Sequence, residues 1–175
     1  MYGFSYIIYM TFFAAFLIKE MGLSQDQAGA LWALVGGLSI FCGLIWGGFS
    51  DLLGRKYGFA LAYLTLAVAY AVLALIKSSI GFYFSAVIFG LTAWSIPTIM
   101  AAAAGDYVGP RLAPAGLGFI TLFFGIGQAL GPALGGYLAD ATQSFAMPFL
   151  LASSVSLSGA ISSLYLGKPK KDVSI

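Results

Sequence analysis

Six apolar runs, at about residues 1–18, 28–50, 57–76, 80–104, 115–139 and 145–166, leave ionic side chains only the short segments between them. Each run is close to the roughly 20 residues that a helix needs to cross the hydrocarbon of a bilayer. Only 8% of the 175 residues are charged, whereas a water-soluble domain carries roughly a quarter. Such a chain cannot cover itself with a hydrated surface, so lipid is its solvent. Within the runs the apolar residues are continuous rather than alternating, which predicts helices and not the strands of a membrane barrel. The expectation is an all-α membrane protein, one six-helix transmembrane bundle over residues 1–175. The first run has neither a basic leader nor a small-residue cleavage site, and reads as a crossing rather than a signal peptide.

The basic residues give the bundle a direction. With the segment around 51–56 in the cytoplasm, Arg55, Lys56, Arg111, Lys168, Lys170 and Lys171 fall on that side, and only Lys19 and Lys77 on the other. Short cytoplasmic loops carry the excess of Lys and Arg. Both termini are therefore expected in the cytoplasm of a multi-pass protein of the cytoplasmic (inner) cell membrane.

Absences narrow the chemistry. There is no histidine and Cys42 is the single cysteine, so no metal-ligand spacing and no intramolecular disulfide can be drawn. No GxxxxGK[ST] loop that would cradle phosphates occurs, and no nucleophile is paired with a base. The expectation is no enzyme, no metal, no cofactor and no nucleic-acid partner. No Asp, Glu, Lys, Arg or His lies in the middle of a crossing, where the proton carriers of transporters usually reside.

The chain also echoes itself. Shifting "GGLSIFCGLIWGGFSD" by 89 positions onto "GIGQALGPALGGYLAD" brings Gly36 onto Gly125, Gly47 onto Gly136 and Asp51 onto Asp140. These runs are the second and fifth crossings, which traverse the bilayer in opposite directions. The echo predicts two inverted three-helix repeats, a construction common among secondary transporters.

One segment concentrates charge and glycine, "GGFSDLLGRKYG" at 47–58, with Gly47, Asp51, Gly54, Arg55 and Lys56 in the pattern Gly-x-x-x-Asp-x-x-Gly-Arg-Lys. Gly47 would admit a neighbouring helix, and Asp51 could accept hydrogen bonds from the N-terminus of another helix. Gly54 permits a tight turn, and the two cations hold the loop in the cytoplasm. Together they could form a latch that opens when helix bundles rock; the plainer reading is a positive-inside anchor beside a helix cap. This loop resembles the signature loop of the major facilitator superfamily, found after the second helix of each six-helix half, except that Leu52 stands where an arginine is usual. The resemblance covers the whole chain but only half of the family's usual twelve crossings. It implies one half of that fold and a second six-helix bundle as partner, either a missing half or a second copy. Gly118, Gly127, Gly131, Pro132, Gly135 and Gly136 are similar to the family's antiporter signature in the fifth helix of the amino-terminal half, which implies an occlusion hinge or leak seal. Their spacing by itself reads as helix packing. The opening "YGFSYIIYMTFF" and "AGALWALVGGLSIFCGLIWGGFSD" look like the carboxy-terminal half of the YbfB/YjiJ-type branch, the placement preferred here; an opening directly within a crossing is expected of a fragment.

The resemblance implies that the first and fourth crossings line a central cavity. There Tyr6 and Tyr9 share an aromatic stripe, Trp94 and Thr98 lie one turn apart, and Gln128 is the amide well inside a crossing. These five are the expected substrate-cavity residues, with buried packing as the alternative for each. Trp32 and Trp46 read as belt or packing residues. The combined expectation is a secondary active transporter that moves a small-molecule substrate, an organic solute, across the lipid bilayer by alternating access. A non-transporting membrane scaffold and a homodimeric half-transporter are the alternatives.

Overall fold

The structure, a computed structural model, describes residues 1–167, so Lys168, Lys170 and Lys171 lie outside the described residues. Eight helices occur among them: α1 (Tyr2–Lys19), α2 (Gln25–Ser39), α3 (Cys42–Leu53), α4 (Arg55–Leu75), α5 (Ser79–Thr92), α6 (Ser95–Val108), α7 (Ala113–Thr142) and α8 (Ala146–Ser163). Five stretches are long and apolar enough to cross a membrane, namely α1, α4, α5 with α6, α7 and α8, and the bent pair α2–α3 makes six.

Polar residues set the helix boundaries. α2 starts ahead of its apolar run because Ser24 Oγ accepts from the Gln27 N–H while Gln27 Oε1 accepts from the Ser24 N–H, a reciprocal cap. α5 starts where Ser78 Oγ accepts from the Gly81 N–H. α7 opens with Pro114 in its first turn, where a missing N–H costs nothing.

Two crossings are broken, which the continuous apolar runs did not foretell. Between α2 and α3 the axis bends by 42°. Ser39 Oγ donates to the Gly36 carbonyl, and the Ile40 and Phe41 amides reach back three residues instead of four, to Gly37 and Leu38. Two glycines and a serine bonded to its own backbone loosen the helix there. Between α5 and α6 the cause is Pro97, which has no N–H to offer the Ala93 carbonyl four residues earlier.

Helix pairing follows a symmetric scheme. α4 packs most extensively on α8, α1 on α7, and α2 with α3 on α5 with α6. In crossings, that pairs third with sixth, first with fifth and second with fourth. Exchanging crossings 1–3 for 4–6 leaves the scheme unchanged, as two three-helix repeats require. At the centre, the Tyr9 ring stacks on Phe89 at 3.9 Å between centroids and on Phe13 at 4.8 Å, with Tyr70 at 5.6 Å. The Tyr9 hydroxyl donates to Ser85 Oγ at 3.1 Å, and Ser85 passes its own proton to the Ala69 carbonyl at 2.8 Å. The Tyr9 and Ser85 hydroxyls are thus supplied with partners, as a membrane interior demands, whereas those of Tyr70 and Ser95 are buried without one.

The glycine-rich fifth crossing divides by contact. A Cβ added at Gly131 would stand 2.6 Å from Ile7 Cγ2 and 2.7 Å from the Phe4 carbonyl oxygen. At Gly127 it would stand 2.9 Å from the Phe4 nitrogen, and at Gly135 2.7 Å from Phe12 Cε2. These three, spaced by four, form the seat on which α1 rests, the close approach that small residues permit in lipid. Gly136 is in ordinary contact range of Phe12, and Gly118 has no atom within 4 Å. The packing role expected of Gly118 therefore finds no neighbour in this chain. A matched pair of substitutions separates the two classes. Gly131→Val should cost about 1–3 kcal/mol by overpacking, lowering Tm by several degrees, whereas Gly118→Ala should leave Tm unchanged; thermal unfolding in detergent measures both.

Candidate functional site

The charged turn at 51–56 is built by its own sequence. α3 ends at Leu53 and α4 begins at Arg55, with Gly54 between them at φ 92°, ψ 153°. Residues other than glycine reach that region only at about 1–3 kcal/mol of strain. The reversal returns Arg55 over the end of α3. Its Nη1 donates to Asp51 Oδ1 at 2.5 Å and to Ser50 Oγ at 2.8 Å, and its Nε donates to Asp106 Oδ2 at 2.5 Å. Arg55 is only 15% exposed at its side chain, against 65% for Asp51 and 39% for Asp106. The guanidinium is therefore the sheltered centre, clasping the last turn of α3 to the last turn of α6. Lys56 takes no ion pair among the described residues and holds its ammonium 5.4 Å from the centre of the Tyr57 ring.

Two expectations for this turn change. Gly47 is not where helices approach most closely: a Cβ there would meet Thr98 Cγ2 at an ordinary 3.9 Å, whereas one at Gly58 would stand 2.9 Å from Ser50 Cβ. Asp51 is held by a guanidinium rather than by a helix N-terminus among the described residues. Asp106, which the spacing pattern does not contain, is the residue that turns a local ion pair into an inter-helix clasp.

A second ionic knot closes the opposite end of the bundle. Lys77 Nζ donates to Glu20 Oε2 at 2.6 Å, the Phe145 N–H donates to Glu20 Oε1 at 2.5 Å, and Ser144 Oγ lies 3.5 Å from Oε2. Glu20 follows α1, Lys77 precedes α5 and Phe145 precedes α8, so one carboxylate gathers three connections. Arg55 and Asp106 gather the alternate ones. Tyr107 donates to the Gly167 carbonyl at 2.6 Å, bringing the end of the described chain to the Arg55 side. Burial acts to raise the Glu20 carboxyl pKa, but Lys77, the Phe145 amide and Ser144 outweigh it and hold the group below its ordinary 4.5.

The expected cavity residues separate into two groups. Trp94 is 46% exposed at the break, and its ring meets Tyr6 at 5.6 Å between centroids. Thr98 is half-buried one turn along, its hydroxyl donating to the Trp94 carbonyl at 2.8 Å. Tyr6, Trp94 and Thr98 are thus brought together. Tyr9 is not: at 0% exposure inside the aromatic centre it has no surface to offer a solute, and the expected cavity role gives way to packing. Gln128 is half-buried on α7, one turn before Pro132.

Around the α5–α6 break, side chains replace the backbone bonds that Pro97 and the turn remove. The Trp46 indole donates to the Leu91 carbonyl at 2.8 Å and the Tyr2 hydroxyl donates to the Ala93 carbonyl, while the Trp94 carbonyl keeps its backbone bond from the Thr98 amide. Trp46 is therefore no belt residue but a donor from α3 to the broken helix.

Residues 1–174 match the family model described as Major Facilitator Superfamily. The chain belongs to the major facilitator superfamily. It is 31% identical over 150 residues to Solute carrier family 67 member A1 of Homo sapiens, covering 83% of this chain and 35% of that protein. To Multidrug resistance protein 2 of Bacillus subtilis (strain 168) it is 26% identical over 151 residues, 86% of this chain and 37% of the relative. To the Probable sulfoacetate transporter SauU of Cupriavidus necator it is 27% identical over 182 residues, 94% of this chain and 40% of the relative. The chain thus spans between a third and two fifths of the length of these superfamily relatives.

Two measurements check this geometry. Because the folded pKa of Glu20 is depressed, its stabilisation is present above 4.5 and is lost as pH falls toward the folded value. Wild-type Tm should therefore fall more steeply with acidification through this range than the Tm of Glu20→Gln. At the other end, Arg55→Gln strands two carboxylates and should lower Tm more than Asp51→Asn, which leaves the contact to Asp106 in place; each exposed pair alone contributes only about 0–1 kcal/mol. Equal losses for the two variants would contradict a clasp centred on Arg55.

Proposed function

We propose that this chain is a six-helix half of a secondary active transporter that carries a small organic solute by alternating access, rocking against a second six-helix bundle. Superfamily membership and transporter relatives support transport across a membrane. The observation that carries the mechanical reading is the Arg55 clasp, a sheltered cation joining the ends of two helices at one face of the bundle. Such a contact is strong enough to define a state and weak enough to be exchanged when one mouth opens, since partly exposed pairs are worth little individually. The positive-inside rule places this face in the cytoplasm, with both termini, in the cytoplasmic membrane of a cell.

The solute meets the exposed Trp94, with Tyr6 behind it and Thr98 beside it. An aromatic, hydroxyl-bearing wall without charge suits a weakly polar or amphiphilic organic molecule. Relatives named for sulfoacetate and for multidrug resistance show that membership alone selects no substrate. Asp51, Gly54, Arg55 and Lys56 act as the cytoplasmic latch, joined by Asp106. Gly127, Gly131 and Gly135 keep the fifth crossing sealed against the first.

Uptake of a labelled panel of small organic solutes into proteoliposomes, with the chain alone and with a second six-helix bundle supplied, tests the proposal. For any solute carried, Trp94→Ala should raise KM about tenfold, equivalent to about 1.4 kcal/mol of lost contact. Tyr9→Phe should leave KM alone and lower Tm instead. Arg55→Gln should lower the rate with little change in KM. No flux above empty liposomes in either arrangement would overturn the transporter reading.

A further inference from the structure

We infer that α6 is a lever pivoting at the α5–α6 break, with Trp46 as the residue that positions its fulcrum, so that Trp94 at one end and the Arg55–Asp106 contact at the other move together. The inference rests on the proposed role of the clasp and adds what drives it.

Four observations converge on α6. It is set off from α5 by the turn at Ala93–Trp94, and the carbonyls left at the end of α5, Leu91 and Ala93, are taken by side chains of α3 and α1 rather than by α6 amides. Bonds to side chains can be broken and remade by rotamer changes, whereas a continuous helix cannot hinge without losing its own ladder. Its two ends carry the two functional features. Trp94 immediately precedes α6 and Asp106 lies in its last turn, 12 positions on, which at helical rise is about 18 Å.

Free volume runs along its flank. A cavity of about 360 Å³ is bordered by Met100, Ala103, Tyr107 and Val108 of α6 and by Gly116 and Ile120 of α7. A second, of about 240 Å³, touches Ile96, Pro97 and Met100 on α6 and Leu117 and Thr121 on α7. Close-packed interiors resist displacement; here α6 has space on its α7 side. Finally, Ser95 Oγ is buried in the first turn of α6 and has no hydrogen-bond partner in this arrangement. An unpaired hydroxyl held away from water is costly, so a displaced α6 that satisfied it would be favoured at that point. Opposite the free volume, α3 supplies the fixed side: the Trp46 indole holds Leu91, and a Cβ at Gly43 or Gly47 would only just touch Thr98 at 3.9 Å. A solute pressing on Trp94 therefore tilts α6 about Trp46 and withdraws Asp106 from Arg55.

The chain's three tryptophans supply their own reporters. Incorporating 5-fluorotryptophan into the full chain in nanodiscs gives ¹⁹F resonances for Trp32, Trp46 and Trp94, assigned by single Trp→Phe variants. Asp106→Asn, which frees the far end of α6, should move the Trp94 resonance by more than its linewidth and leave Trp32 in place. Asp51→Asn, which removes the other carboxylate from Arg55 but not the one on α6, should leave Trp94 unmoved. Trp46→Phe keeps an aromatic ring and loses only the N–H donor, and should abolish the response of Trp94 to Asp106→Asn. A stationary Trp94 in Asp106→Asn with Trp32 at its folded position, or an equal shift in Asp51→Asn, overturns the lever. Should Asp106→Asn not fold, Asp106→Ser, which likewise removes the α6 carboxylate from Arg55, is read in the same way. Solute flux with an uncoupled spectrum would sink the lever alone, and a coupled spectrum without flux would sink the transporter reading alone.

Discussion

In hydrocarbon there is no water to take a hydrogen bond, so every backbone carbonyl released inside a crossing must find a donor in the protein. That constraint organises this bundle more than any charge does. Pro97 releases the Ala93 carbonyl, and the turn around Trp94 releases Leu91. The donors that answer come from two other helices, Tyr2 of α1 for Ala93 and Trp46 of α3 for Leu91. The proline and the turn have thereby recruited an aromatic O–H and an aromatic N–H into fixed positions. The same requirement fills the centre, where Tyr9, Ser85 and the Ala69 carbonyl form a closed chain of hydroxyl and carbonyl. The Tyr9 hydroxyl is consumed by the fold, which is why it cannot also serve a solute.

The two ionic knots obey the complementary rule. Charge is tolerated only where a helix leaves the hydrocarbon, and there Arg55 and Glu20 each collect several partners. Glu20 ties together the connections after the first, third and fifth crossings, and Arg55 ties those after the second and fourth. The two sets do not mix, as expected if alternate connections emerge on opposite sides of a membrane. A bundle bound in this way at both ends moves largely as one body. Any internal freedom is then confined to elements that the knots hold at one end only.

Much of this was legible in the sequence because hydrophobic length and the position of cations are local properties. The six runs correspond to five helical stretches long and apolar enough to cross a membrane and to the bent pair α2–α3, with boundaries displaced by a few residues where a cap such as Ser24 or Ser78 extended a helix beyond its apolar part. The motif residues from Gly47 to Lys56 lie at the α3–α4 turn, and the rings of Tyr6 and Trp94 are 5.6 Å apart. What escaped was tertiary. Asp106 lies 51 residues from Arg55 in the chain, and nothing in either segment announces the other. Lys77 was visible only as one of two cations, with Lys19, on the sparser side, and Glu20 was not singled out. The breaks at Ile40–Phe41 and Ala93–Trp94 were hidden because hydropathy measures composition and is blind to a missing N–H. Trp46 looked like an interfacial anchor for a similar reason: its role depends on the Leu91 carbonyl, which the turn around Trp94 had freed. Gly36, Gly37, Ser39 and Pro97 were the signals present, and only their geometry explains them.

The glycines expose a division of labour within the bundle. Gly127, Gly131 and Gly135 bring α7 so near α1 that a single added carbon would collide with backbone or ring atoms. That joint is rigid because neither helix can slide without losing contact along its whole length, and lipid-embedded helices hold together chiefly by such contact. Between α6 and α7 the reverse holds, with cavities where side chains could have filled the space. The same α7 is thus locked on one neighbour and loose against the other. An even distribution of packing would have made a scaffold. The close contact is concentrated between α1 and α7, and the room lies beside the helix that runs from the exposed indole of Trp94 to the clasped carboxylate of Asp106, which is the uneven packing that the proposed lever requires.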